Sequence, residues 1–392
     1  MDLFAKCYVP SVADGFREKG IYPYFRALET RQGPEVIMEG QRRIMLGSNN
    51  YLGLTSCPEV VEAGIRALEE FGTGCSGSRF LNGTLTMHLE LEDELAKFLH
   101  KEVAMTFSTG FQSNLGIISA LVGRSDYMIL DRENHASIYD GTRLSFGKML
   151  RYRHSDMDDL ERCLKQVPET SGALVITDGV FSMGGDIADL PAIVRLAKQY
   201  GARVMVDDAH GLGTIGEGGR GTASHFGLEK EVDVYMGTFS KSLASLGGYM
   251  AADARVVDYV RHNSRPFIFS ASITPASAAI ALASLRHIEA HPELVKRLAD
   301  LSAYMRRGLK ARGIPIIEAE TPIIPIYTYT PEATLLRARQ LYEEGVYVNP
   351  VLPPATPPDL CLLRTSYMAS LNEKLLDEAL DIFGEVFSKS VE

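Results

Sequence analysis

Between residues 104 and 252 short apolar runs alternate with stretches of helical periodicity. That alternation constrains the fold more than any other feature of the chain. The runs are AMTF (104–107), YMIL (127–130), ALVIT (173–177), RVMV (203–206), VDVYMG (232–237) and GGYMAA (247–252). Helical patterns, such as 190–200, lie between most of them. The order predicts an α/β chain with a mostly parallel central sheet and helices on both faces. Ligands of such sheets bind beyond the strand ends, on the connecting loops. Several of these loops hold polar residues beside glycine.

The flanks differ. Residues 35–46 predict a β-hairpin turning at Gly40. Pro58 opens a helix whose apolar stripe is Val61, Ile65 and Leu68, and a second helix is expected over 87–99. Beyond 274 come long helical patterns (274–290 and 292–312), a strand at 323–327 and a further helix. A stiff proline-rich loop (351–358), the strand-like CLLRTS and a last helix near 372–387 follow. The expected division is an N-terminal segment with the hairpin (1–50), a large cofactor-binding α/β domain (51–273) and a smaller α+β C-terminal domain (274–392).

Charge and cysteines narrow the function. A net charge of -10 opposes sequence-independent nucleic-acid binding, which needs a basic footprint. Five scattered cysteines, with no C-x-x-C, make a disulfide framework or a zinc cluster a poor fit and point to a reducing compartment. No apolar run approaches the ~20 residues of a spanning helix. A cytoplasmic protein is expected, with peripheral contact at the inner face of the membrane left open. His287 and His291 stand at i, i+4, but Pro292 follows and HIEAH is not the zinc-protease pattern. They read as surface residues at a helix end, and no metal is expected.

Four segments carry chemistry. GTFSKSLASLGG (237–248) sets Lys241 among small hydroxyl residues and glycines after a predicted strand. A lysine that forms an imine must lose its proton in a confined site. Thr238, Ser240 and Ser242 could donate to a phosphate, although a surface lysine in a serine-rich loop would look the same. RVMVDDAHGLGTIGEGGRG (203–221) contains a formal G-x-G-x-x-G, but further glycine and Arg220 follow where a helix should start, so a loop is expected and a nicotinamide site is rejected. Asp207 ends the preceding strand, with His210 three residues on. A carboxylate there could keep a pyridine nitrogen protonated. In TFSTGFQSN (106–114) the amides of Gly110 and Phe111 would sit at a helix N-terminus, a natural phosphate site; a plain cap by Ser108 or Thr109 is the alternative. In LDRENHASIYDG (130–141) His135 follows a strand end and could stack on an aromatic ring.

Together these segments resemble the α-oxoamine synthases, a branch of the fold-type I pyridoxal-phosphate enzymes, from about Gly20 to the C-terminus. GTGCSGSRFLNGT (72–84), GTFSKSLASLGG and PATPP (354–358) carry a closer likeness to the bacterial members that join L-serine to a long-chain acyl-CoA. The resemblance implies pyridoxal 5'-phosphate as cofactor and Lys241 as the Schiff-base and proton-transfer group. Asp207 would pair with the pyridinium nitrogen, His210 and Ser182 with the ring hydroxyl, and His135 would stack on the ring. Gly110, Phe111, Thr238 and Ser240 would bind the phosphate. Ser270 and Ser272 would reach the phosphate of a neighbouring subunit in a homodimer with shared sites. Arg364, with Asn49 and Ser78, would hold the amino-acid carboxylate. Members using glycine or alanine, and a non-catalytic scaffold of the same fold, are the rival expectations. Presence of Lys241, Asp207 and His210 speaks against the scaffold.

Overall fold

The computed structural model describes residues 1–389. The strands are β1 (Glu35–Met38), β2 (Gln41–Met45), β3 (Val103–Phe107), β4 (Tyr127–Asp131), β5 (Lys148–Tyr152), β6 (Ala173–Asp178), β7 (Arg203–Asp207), β8 (Val234–Thr238), β9 (Gly248–Ala252), β10 (Ile323–Tyr329), β11 (Val346–Tyr347), β12 (Asn349–Val351) and β13 (Cys361–Ser366). Seven of them form the central sheet in the order β3-β9-β8-β7-β6-β4-β5. Only β9 runs against its neighbours β3 and β8; the remaining pairs are parallel.

The central strands read as unbroken apolar runs because both faces are covered. Along β7, Val204 and Val206 enter one hydrophobic cluster and Met205 the other. Along β4, Ile129 faces the first cluster, and Met128 and Leu130 the second. Helix Gly110–Leu121 contributes Ile117 and Ile118 to the second. The first cluster continues through Ile323 and Leu363 to Phe383 of the last helix, Glu373–Ser388.

Two small sheets complete the chain. The hairpin β1-β2 turns through Glu39 and Gly40, both at positive φ, and β11 joins it in parallel. The antiparallel sheet β10-β13-β12 holds Arg364 on its middle strand.

Two sequence expectations need correction. Strand β5 was not foreseen: it is an edge strand, KMLRY, with mostly exposed side chains and no apolar run to mark it. Helix Pro58–Phe71 forms as expected, but Ile65 and Leu68 are 45% and 44% exposed. Its buried face is Val60, Gly64 and Ala67. Small residues win that face because helix Pro275–Ala290 packs close; a Cβ on Gly64 would meet Ile280 Cδ1 at 2.9 Å. The glycine-rich stretch after Asp207 is a loop with a single 3-10 turn at Glu217–Gly219, as its composition predicts.

Candidate active site

Strands β6, β7 and β8 end side by side on Asp178, Asp207 and Thr238. A cavity of about 290 Å³ opens beyond them. Lys241, His135, His210 and Ser182 also line it, as do Gly110 and Phe111 from the start of helix Gly110–Leu121.

Asp207 is buried, at 4% exposure. Its Oδ2 accepts from Asn114 Nδ2 at 2.7 Å and its Oδ1 from the Ala209 amide at 3.1 Å. Asn114 Nδ2 also donates to Ser137 Oγ at 2.8 Å, and Ser137 Oγ lies 2.7 Å from His135 Nδ1. The serine proton therefore goes to His135 Nδ1, and Nε2 is left as the donor. One relay thus orients both the carboxylate and the imidazole. His135 is exposed at the cavity mouth; desolvation still lowers its pKa, against the Asp207 carboxylate.

Burial pushes the Lys241 ammonium down to about 8, with Asp207 opposing and Arg364 assisting. Burial, then the charges of Lys241 and Arg364, holds His210 well below its ordinary value, so its imidazole is neutral. The Tyr51 hydroxyl lies 2.7 Å from His210 Nδ1. Asp178, whose register partner is Asp207, is pushed well up by burial and then by the Asp207 charge. Its Oδ2 accepts from the His135 amide at 3.1 Å.

The far end of the cavity is built for an anion. Thr109 caps helix Gly110–Leu121 by accepting from the Gln112 amide. The first amides, of Gly110 and Phe111, stay free of that cap and stand at the positive end of the helix. Thr238 Oγ1 and Ser240 Oγ lie 2.9 Å apart. A Cβ on Gly110 would meet Thr238 Oγ1 at 2.8 Å, so the cradle requires glycine there. Arg364 is buried beside the cavity: its Nε donates to the Ser182 carbonyl at 2.5 Å, and its Nη2 to Asn49 Oδ1 at 3.0 Å and Tyr51 Oη at 3.2 Å. This donor set fits a group with an anionic tail, a basic ring nitrogen and an electrophilic carbonyl.

Ser78, Ser270 and Ser272 do not line this cavity. They gather elsewhere: Ser78 forms a β-bridge with Ala271, and Ser272 Oγ donates to the Gly83 carbonyl at 2.6 Å. Sequence reasoning missed Tyr51, Asn114, Ser137 and Asp178. Asp178 carried a signal, since it ends an apolar run before glycine just as Asp207 ends another. Asn114 carried a fainter one, an amide within a mostly apolar helical stretch.

The family model for aminotransferase class I and II matches residues 42–383. A serine palmitoyltransferase of Sphingobacterium spiritivorum is 50% identical over 380 residues, 97% of this chain and 95% of its own. An 8-amino-7-oxononanoate synthase of Geobacter sulfurreducens is 44% identical over 367 residues, 93% of this chain and 94% of its own. A solved structure of SPT with a PLP internal aldimine matches with a TM-score of 0.96 at 37% identity, covering 99% of each chain. The chain belongs to the class I and II aminotransferase family of fold-type I pyridoxal-phosphate enzymes, within its α-oxoamine synthase branch.

Proposed function

We propose that this chain is a pyridoxal-phosphate acyltransferase that condenses L-serine with palmitoyl-CoA or a similar long-chain acyl-CoA. The products would be 3-ketodihydrosphingosine, CoA and carbon dioxide, the first step of sphingolipid synthesis. One observation carries the reading: a lysine with a depressed pKa, a buried carboxylate and an anion cradle line one cavity. Higher identity to the serine palmitoyltransferase than to the oxononanoate synthase favours serine over alanine.

Bound pyridoxal phosphate supplies an electron sink for the charge left when an α-proton departs. Gly110, Phe111, Thr238 and Ser240 would hold its phosphate, and Asp207 would keep its ring nitrogen protonated. His210 and Ser182 would face the ring hydroxyl, and His135 the ring itself. Lys241, neutral in part near its pKa of about 8, would capture the cofactor and then carry the α-proton. Arg364, steadied by Asn49, would clamp the serine carboxylate through its guanidinium. A fixed carboxylate decides which bond at the α-carbon is aligned to break.

In a homodimer Ser270 and Ser272 would complete the partner's site, and Ser78, bridged to Ala271 beside them, would bring its hydroxyl to the carboxylate there and not in its own chain's cavity. Mixing Lys241→Ala chains with Ser78→Ala chains tests this. Hybrid dimers would then contain one intact site and regain activity; no regain would place Ser78 in its own subunit's site, and an active Ser78→Ala homodimer would place it outside catalysis. Five free cysteines among the described residues suit a reducing, cytoplasmic setting. No helix among the described residues is long and apolar enough to cross a membrane.

Parallel titrations of the cofactor-loaded protein with L-serine, glycine and L-alanine, followed by visible absorbance, test the substrate. Saturation by L-serine at the lowest concentration is expected. A preference for glycine or alanine would move the chain to another member of its branch. Lys241→Ala should abolish turnover while still binding cofactor, and substantial turnover in it would reject the mechanism.

A further inference from the structure

Outside the lining of the cavity, Cys57, Glu59 and His287 bring their donor atoms within 4.8 Å of one another. Cys57 is the N-cap residue of helix Pro58–Phe71, and Glu59 lies in that helix's first turn. His287 comes from the last turn of helix Pro275–Ala290. Cys57 Sγ is 3.4 Å from Glu59 Oε2 and 3.9 Å from His287 Nδ1, and His287 Nδ1 is 3.2 Å from Glu59 Oε2.

These separations fit a small tetrahedral cation. Tetrahedral zinc with bonds of about 2.3 Å to sulfur and 2.0–2.2 Å to nitrogen and oxygen has ligand–ligand edges of roughly 3.4–3.6 Å. The three observed edges straddle that range. Cys57 makes no capping bond to a backbone amide of its helix, so its thiol faces Glu59 and His287 instead. Two ligands are fixed on one helix start and the third on a helix packed against it at Gly64 and Ile280. Glu59 is 76% exposed and His287 19%, so a cation could enter from a groove of about 620 Å³ and keep a water as its fourth ligand.

We propose that Cys57, Glu59 and His287 form a zinc-class divalent cation site that clamps these two helices together. A mixed thiolate, carboxylate and imidazole set suits zinc better than calcium or magnesium. On binding, the Cys57 thiol gives its proton to solvent and its sulfur bonds the metal. Both helices lead at their other ends toward the bridged pair Ser78 and Ala271. None of the three residues lines the catalytic cavity. The expected effect is therefore on stability. Sequence spacing hid the site: His287 was paired with His291, whereas its metal-ligating neighbours come from 228 and 230 positions away.

The test uses the cofactor-loaded protein, stripped by a chelator and titrated with zinc chloride against a chromophoric competitor. One zinc per chain is expected, with a rise in Tm as zinc is added. His287→Ala and Cys57→Ser should weaken binding by about tenfold or more. Glu59→Gln changes an exposed side chain that the fold does not need; it should also weaken binding, lose the zinc-dependent rise in Tm and keep the metal-free turnover. Cys7→Ser, altering an exposed cysteine elsewhere, should bind as the parent does. Zinc bound equally by the parent, His287→Ala and Glu59→Gln, or no zinc bound by the parent, would overturn the site.

Discussion

The Tyr51 hydroxyl lies 2.7 Å from His210 Nδ1 and accepts from Arg364 Nη2 at 3.2 Å. One fully buried phenol thus ties the histidine expected at the ring hydroxyl to the arginine expected at the substrate carboxylate. With the hydroxyl proton directed at Nδ1, the nearer of its two acceptors at 2.7 Å against 3.4 Å for Asn49 Oδ1, the neutral imidazole carries its own proton on Nε2. Tyr51→Phe keeps the ring and deletes the link. A buried polar group that loses its partner costs about 1–3 kcal/mol. The KM for L-serine should rise about tenfold or more, with a lower Tm and an unchanged far-ultraviolet circular dichroism spectrum. Steady-state kinetics beside thermal melts read both effects, and an unchanged KM would detach Tyr51 from substrate binding.

Arg364 separates charge from geometry. Its Nε and Nη2 are already bonded to the Ser182 carbonyl and to Asn49 and Tyr51, which fixes the plane of the guanidinium. Arg364→Lys keeps a cation but loses the planar fork. Hydrogen bonds to charged groups are worth about 1.5–3 kcal/mol, so the KM for serine should rise by roughly 10- to 100-fold. A serine titration that Arg364→Lys leaves in place would mean that another group holds the carboxylate.

Much of this site could be read from the sequence because strand ends announce themselves. An apolar run stopping at a polar residue marks Asp207 and Thr238 without any knowledge of the sheet, and His135 follows four residues after the end of another such run. Tyr51 and Asn114 escaped because their roles arise from packing: Tyr51 reaches His210 across 159 positions, and Asn114 reaches Asp207 across 93. Helix Pro58–Phe71 escaped in another way. Apolar residues lie on both of its sides, and the side built from glycine and alanine is the buried one because it permits close approach. Strand β5 lies at the sheet edge, so no alternation of apolar residues was needed to form it.

Lys241 gives a pH dependence whose sign can be worked out. Burial lowers its pKa from 10.5 to about 8 in the folded chain. Between those values the unfolded chain binds more protons than the folded one, so the stability of the cofactor-free protein rises with pH. The penalty for Lys241 is complete below about 8 and vanishes above 10.5. Cofactor-free Lys241→Met should therefore be more stable than its parent below pH 8, and the difference should close as pH rises toward 10.5. Denaturant melts of the two proteins across that range measure it. A difference that stays constant with pH would mean that the lysine titrates normally.

Gly110 tests the anion cradle without removing any polar group. A methyl at its Cα would stand 2.7 Å from Thr238 Cβ and 2.8 Å from Thr238 Oγ1. Thr238 is not free to retreat, since its Oγ1 donates to the Gly247 carbonyl at 3.0 Å and lies against Ser240 Oγ. Overpacking of this kind costs about 1–3 kcal/mol. Gly110→Ala should therefore weaken retention of pyridoxal phosphate by roughly 10- to 100-fold, with the secondary structure intact. Gly15→Ala is the control, because nothing lies within 4 Å of the added carbon there. Dialysis of both loaded variants against cofactor-free buffer, with residual cofactor followed by absorbance, compares them directly. Equal retention would show that the helix start at Gly110 does not hold the phosphate.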